Sequence, residues 1–326
     1  MAQVMAQDHG EDWTIWNGDC VDVTRGLPDD SVGFTIFSPP FCSLYTFSDS
    51  ARDMSNCRDD QTFWTHFKFL IAELHRVTMP GRIVAIHCMN LPTSKQRDGF
   101  IGLRDFRGDI IRAFQDVGFV YHSEVMIRKD PVAAMQRTKA LGLLHKQVVK
   151  DSTLSRMAVA DYVVVMRKLG DNPEPVSGAF DCYYGEETSR HGPLTTENAT
   201  RRTTNYPGEG WYSVAVWQRY AEPVWLDISQ SDVLTHKTAR DEQDERHISP
   251  LQLTVIRRCI DLWSNPGDVV FSPFAGIGSE LYVAVEMGRK AIGAELKDTY
   301  FVQAVANLKT VVKQAEKSND MFAKVG

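Results

Sequence analysis

The feature that most constrains this chain is an alternation. Apolar runs of strand length, each closed by a polar or glycine turn, take turns with segments whose apolar residues recur at helical spacing. Trp13-Thr14-Ile15-Trp16 leads into Asn17-Gly18-Asp19-Cys20, and Ser31 to Phe37 ends on Ser38-Pro39-Pro40-Phe41, so both read as strands closed by loops. Phe63 to Leu74 repeats at helical period, and Pro80-Gly81 then turns the chain into the strand-like Ile83 to Met89. The helical set Ile110, Ile111, Phe114 and Val117 stops at Gly118; Phe119 to Ile127 and Ala160 to Met166 follow as strands. Further on, Ser249-Pro250 reads as the cap and first-turn proline of a helix carrying Leu251, Val255, Cys259 and Ile260. Asp268 to Phe271 is then a strand, Ser279 to Glu286 a helix start, Ala291 to Glu295 a strand and the tail a last helix. Such alternation specifies an α/β fold with a largely parallel sheet, because parallel neighbours need a crossover helix between them.

From Gly170 to about Arg246 the periodicity dissolves into Gly, Pro, Thr, Asn, Glu and aromatic residues. The economical division is one core made of residues 1–170 and 247–326, interrupted by an irregular module at 171–246. Trp211, Tyr212, Trp217, Tyr220 and Trp225, interleaved with Arg219, suit either a ligand-facing module or a small aromatic core.

Composition narrows the partners. With 36 Lys and Arg against 42 Asp and Glu, the net charge is −6, which excludes a protein held to its ligand by overall positive charge. The exception is local: between Arg128 and Lys150 the charged side chains are Arg128, Lys129, Arg137, Lys139, Lys146 and Lys150 against Asp130 alone, a place for an anion to dock. Six scattered cysteines form no CxxC pair, and the histidines form no HExxH set, so no metal is expected. No run approaches the ~20 apolar residues of a membrane span, and no secretory leader is visible. The expectation is a cytoplasmic protein.

Two constellations carry chemistry. Phe271-Ser272-Pro273-Phe274-Ala275-Gly276-Ile277-Gly278 passes from a strand end through glycines into a helix, and Glu295 closes the next strand. Glycines allow close backbone approach, and a carboxylate at the neighbouring strand end can accept from ribose hydroxyls, the pattern of a nucleoside crevice. The loop lacks the Lys-Ser/Thr ending of a P-loop and the full GxGxxG spacing, so ATP and NAD are disfavoured together. Asp19 either caps its own turn or accepts a hydrogen bond from a nucleobase amine. In Ser38-Pro39-Pro40-Phe41, two prolines withhold amide donors and stiffen the chain, leaving carbonyls and an aromatic ring beside a serine. That set suits a flat amine stacked on Phe41 and donating to Ser38 and the Pro39 carbonyl, and it equally describes a rigid surface turn.

The order of Asn17-Gly18-Asp19, Ser38-Pro39-Pro40-Phe41, an irregular module, His247-Ile248-Ser249-Pro250, the Phe271–Gly278 loop and Glu295 resembles the beta class of DNA amino-methyltransferases, over about three quarters of the chain. The resemblance implies a seven-stranded, Rossmann-like S-adenosylmethionine-dependent methyltransferase sheet with an inserted target recognition domain at 171–246. It implies S-adenosyl-L-methionine held along Phe271, Ser272, Phe274, Gly276 and Gly278, with Glu295 on the ribose, Asp19 near the adenine, and His247 and Ser249 near the methionine end. Ser38, Pro39, Pro40 and Phe41 become the catalytic loop. Double-stranded DNA becomes the partner, met by Tyr45, Arg52, Arg128, Lys129, Arg137, Lys139 and Lys146. Two positions depart from the family pattern: Ser272 stands where Asp is usual, and Ser279-Glu280 where a Thr pair is common.

Methyl transfer to an exocyclic amine requires a flipped base, which costs a few kcal/mol of stacking and pairing that Phe41 and Tyr45 partly return. Ser38 resembles the Ser-Pro-Pro-aromatic pattern of N4-cytosine enzymes, which puts cytosine ahead of N6-adenine as target. The competing readings are a catalytically inactive DNA-binding protein that keeps the fold, and an enzyme acting on RNA or a small amine. The family also implies a homodimer, and a restriction nuclease as a possible cognate partner.

Overall fold

The fold is that of a computed structural model describing residues 4–40, 53–57, 59–93, 95–138, 143–176, 217, 219–234 and 250–323. Its elements run β1 (Val4–His9), β2 (Trp13–Gly18), α1 (Cys20–Arg25), β3 (Val32–Phe37), α2 (Asp60–Val77) and β4 (Thr78–Met89). There follow β5 (Leu91–Pro92), α3 (Lys95–Asp98), β6 (Leu103–Arg104), α4 (Phe106–Val117), β7 (Phe119–Ile127), α5 (Pro131–Thr138), α6 (His145–Lys150) and β8 (Asp161–Lys168). The chain closes with β9 (Val224–Trp225), α7 (Leu253–Trp263), β10 (Val269–Ser272), α8 (Ser279–Glu286), β11 (Lys290–Glu295) and α9 (Asp298–Ala323).

The main sheet has the order β1-β2-β11-β10-β3-β4-β8-β7-β9. Strands β2, β11, β10, β3 and β4 are parallel neighbours, while β8 runs antiparallel to both β4 and β7. These seven strands match the expected core; β1, antiparallel to β2, and β9, parallel to β7, extend it at the two edges. Chain direction reverses between β3 and β10. From β3 the chain winds outward through α2 to β4, and from β10 it winds the other way through α8 to β11. A crevice therefore opens beyond the carboxyl ends of β3 and β10, where open α/β sheets bind ligands.

Helices cover both faces. On one side α7, α8 and α9 bury Val255, Cys259, Leu281 and Leu308; on the other α2 and α4 bury Phe63, Phe67, Leu70 and Phe114. Helix α2 forms because its apolar residues Phe63, Phe67, Leu70, Ile71, Leu74 and Val77 fall on one stripe, and because the Asp59 side chain accepts from the Thr62 amide at its start. Helix α4 ends where expected, at Gly118, whose φ of 109° is the left-handed conformation of a C-terminal glycine.

Two expectations needed revision. The 171–246 stretch is not wholly separate from the core: Val224-Trp225 joins the sheet beside β7, and Tyr220, Trp225 and Ile228 are buried. Arg258 of α7 ties this segment down, lying over the Tyr220 and Trp225 rings and donating to Asp227 at 2.6 Å. Ser249-Pro250 does not start α7, which begins at Leu253. Asp232, distant in sequence, takes the capping role by accepting from the Thr254 amide at 2.8 Å and from the Thr254 hydroxyl.

Candidate functional site

The glycine loop follows β10 directly. Gly276 and Gly278 have φ of 53° and 84°, a backbone that side chains resist, and the space where a Gly276 Cβ would stand is open. The Gly276 amide donates to Glu295 Oε2 at 2.8 Å, and the Lys297 amide donates to Glu295 Oε1 at 2.8 Å. The carboxylate at the end of β11 is thus latched to the loop across a parallel strand pair. Asn17 holds that strand end from β2, donating to the Glu295 and Leu296 carbonyls. Ser272 is 0% exposed and its hydroxyl has no protein partner. An unpaired buried hydroxyl and an open glycine cradle beside a carboxylate fit a nucleoside-bearing ligand.

Two carboxyls under this loop are hard to ionise. Burial pushes Glu295 up to about 7 and Glu280, in the first turn of α8, up to about 8, with the charge of Glu295 adding to the second. Both then hold protons in the folded chain at pH values where an unfolded glutamate, near 4.5, has lost them. Their contribution to stability is complete below about 4.5 and disappears as pH rises through 7 to 8. Glu295→Gln is accordingly expected to gain thermal stability relative to the parent at pH 8 compared with pH 5, without ligand. Parallel melting curves at the two pH values check this, and an unchanged difference would reject the buried-acid assignment.

The second loop leaves β3. Phe37 pairs in register with Ile86, so Ser38 emerges level with His87 on β4, and Ser38 Oγ lies 2.9 Å from His87 Nδ1. His87 Nε2 is 3.3 Å from Asp161 Oδ2, and Asp161 accepts Lys129 Nζ at 2.7 Å. The Nε2 contact is bent away from the ring N–H direction, an ionic approach rather than an aligned hydrogen bond. Although burial works against ionisation of Asp161, His87 and Lys129 outweigh it and hold the carboxyl below its ordinary value.

The two loops share one foundation. Phe274 of the glycine loop packs on Phe37, immediately before Ser38, and both rings rest on Phe67 of α2. Phe271, expected at the cofactor, is fully buried in the sheet core and supports the loop from beneath. Asp19 caps α1, accepting from the Val21 and Asp22 amides at 2.9 and 3.1 Å, at the carboxyl end of β2. Of the basic residues, Arg128 and Lys146 are exposed, whereas Lys129 is turned onto Asp161. Phe41, Tyr45, Arg52, Lys139, His247 and Ser249 lie outside the described residues, as does the Arg137 side chain. His87 and Asp161 were not singled out for this site from sequence; the signal available was that His87 sits near the end of a strand of the same sheet.

Comparison with known proteins reads this geometry. Residues 32–306 match the family model described as DNA methylase, of the N6 and N4 type. The chain belongs to that family. A DNA adenine methyltransferase of Escherichia coli, YhdJ, is 36% identical over 309 residues, covering 90% of this chain and 82% of that protein. The type II methyltransferase M.BamHI of Bacillus amyloliquefaciens is 22% identical over 95% of this chain, which spans only 59% of that relative's length. Among solved structures, the cytosine-N4-specific PvuII DNA methyltransferase superposes with a TM-score of 0.60 at 13% identity, covering 93% of this chain and 91% of its own. A DNA modification methylase from Thermus thermophilus, solved with S-adenosyl-L-methionine, gives 0.58 at 20% identity, covering 90% and 94%. The family is S-adenosylmethionine-dependent, and the nucleoside cradle at the β10–β11 end fits that cofactor. Among the described residues no helix is long and apolar enough to cross a membrane.

Proposed function

We propose that this chain methylates the exocyclic amine of a flipped base in double-stranded DNA, with cytosine N4 as the target. The observation that carries the reading is the adjacency of the Ser38-Pro39-Pro40 turn and the Phe274–Gly278 loop on neighbouring parallel strands, over one aromatic foundation. Gly276, Gly278 and Glu295 would hold the cofactor, with Ser272 and Phe274 beneath it and Asp19 toward the adenine. When bound, S-adenosylmethionine supplies an electrophilic methyl group. Ser38 Oγ and the Pro39 carbonyl accept from the target amine, which turns its lone pair out of conjugation with the ring and aims it toward the cradle. Phe41 stacks on the flipped base and offsets part of the unstacking cost.

A second reading, adenine N6, is favoured by the 36% identity to a DNA adenine methyltransferase. Incubating purified protein with unmethylated duplex DNA and labelled cofactor, then digesting the DNA to nucleosides, separates the two. N4-methylcytosine supports the first reading and N6-methyladenine the second, while label in neither base overturns both.

Arg128 and Lys146 would meet DNA phosphates, with Arg137 and Lys139 in the same stretch, and residues 171–216 and 235–246 would supply sequence recognition. Each phosphate contact releases counterions, so the slope of log affinity against log salt is expected to fall by about 1 for Arg128→Ala and again for Lys146→Ala. Fluorescence anisotropy titrations over a salt series check this, and an unchanged slope removes the residue from the interface.

A further inference from the structure

Ser38 is not an isolated hydroxyl. Its oxygen lies 2.9 Å from His87 Nδ1, the far side of that ring faces Asp161 at 3.3 Å, and Asp161 is nearly fully buried against Lys129. We propose that His87, oriented by Asp161, accepts through Ser38 the proton that the target amine loses, an inference that rests on the methyl-transfer reading above.

Three features of the site support it. The carboxylate opposite Nε2 favours the tautomer with hydrogen on Nε2, which leaves the Nδ1 lone pair free to accept the Ser38 hydroxyl proton. With its hydrogen pointed at His87, Ser38 Oγ keeps its own lone pairs for the amine protons, the role the loop requires. The ring is partly accessible from the crevice while Asp161 is not, so charge gained by the imidazole meets a fixed anion rather than bulk water. The charged groups against His87 are Asp161 from β8 and, beyond it, Lys129 after β7; Ser38 from β3 is neutral.

The balance is complete. As the amine nitrogen forms its bond to the methyl carbon and the methyl–sulfur bond breaks, nitrogen carries one proton too many. That proton passes to Ser38 Oγ as the original hydroxyl proton passes to His87 Nδ1. The serine is unchanged, the imidazole becomes a cation paired with Asp161, and it returns its proton to solvent before the next turnover. His87 thus works through Ser38 as a positioning and proton-accepting residue.

His87→Gln is the discriminating variant, because a glutamine oxygen can still accept from Ser38 but cannot take up a proton. Single-turnover methyl transfer to duplex DNA is measured from pH 5.5 to 9, beside equilibrium binding of S-adenosylmethionine and DNA. The parent rate is expected to rise with pH through an imidazole titration. His87→Gln is expected to lose about tenfold or more in rate and to lose the inflection, with both binding constants unchanged. Asp161→Asn is expected to move the inflection to lower pH, since the imidazolium loses its anion. Nitrogen-15 NMR of histidine-labelled full-length protein, with the His87 signal assigned by its loss in His87→Gln, reads the ring without any reaction. Hydrogen on Nε2 supports the relay and hydrogen on Nδ1 overturns it. Methylation by the parent with an unaltered pH profile in His87→Gln overturns the relay alone. A parent that methylates no base at any pH overturns the functional reading and the relay with it.

Discussion

Ser38→Ala is expected to lower single-turnover methyl transfer by about 10²-fold or more, at saturating DNA and cofactor, with little change in binding of either. The loss follows from what the alanine cannot do. The target amine keeps its lone pair conjugated unless an acceptor draws its protons out of the ring plane, and Ser38 Oγ is that acceptor, oriented by His87 at 2.9 Å. The Pro39 carbonyl remains, which leaves residual activity. Because the hydroxyl sits at a strand end and not in the core, melting temperature is expected to move little, so a rate loss is chemical and not structural. Undiminished methylation would remove Ser38 from the reaction.

Phe67→Ala is expected to destabilise the fold by about 3–5 kcal/mol, the cost of truncating a buried aromatic. Phe67 is 0% exposed and stacks on Phe63 at 5.4 Å, with Trp64, Phe114, Phe37 and Phe274 around it. Volume lost here cannot be refilled cheaply, because its neighbours come from two different loops as well as two helices. The same cavity lies beneath Phe37 and Phe274. Cofactor affinity is therefore expected to weaken together with stability, while a truncation remote from the two loops costs stability alone. Urea denaturation and cofactor titration on the same preparation test the pair of effects. A large stability loss with unchanged affinity would show that the loops do not depend on this foundation.

Glu295 illustrates a residue readable at both levels. Its place at the end of a strand, after a glycine loop, marked it from spacing alone, and its latch to the Gly276 and Lys297 amides is what that spacing becomes in three dimensions. Asp19 was open between a cap and a ligand contact, and it does cap α1 through two amides. Asp232 was invisible as the cap of α7, since nothing local connects it to Thr254 twenty-two positions later. Val224-Trp225 was absorbed into the irregular stretch for a similar reason. Two residues carry no period, and only Arg258 and the edge of β7 make a strand of them.

By itself the sequence determined the alternation of strand and helix, the two loops that carry chemistry and the class of reaction. Each of these is written in residues close together in the chain, where hydrophobic period, glycine and proline act directly on the backbone. Tertiary structure alone decided which side chains meet. Ser38 and His87 are 49 positions apart, and they touch because β3 and β4 pair in one register, while Asp161 reaches the same ring only because β8 returns antiparallel beside β4. A one-residue slip in either pairing would turn these side chains to opposite faces, so the Ser38–His87–Asp161 chain is a property of the sheet's register, set by burial on both of its faces.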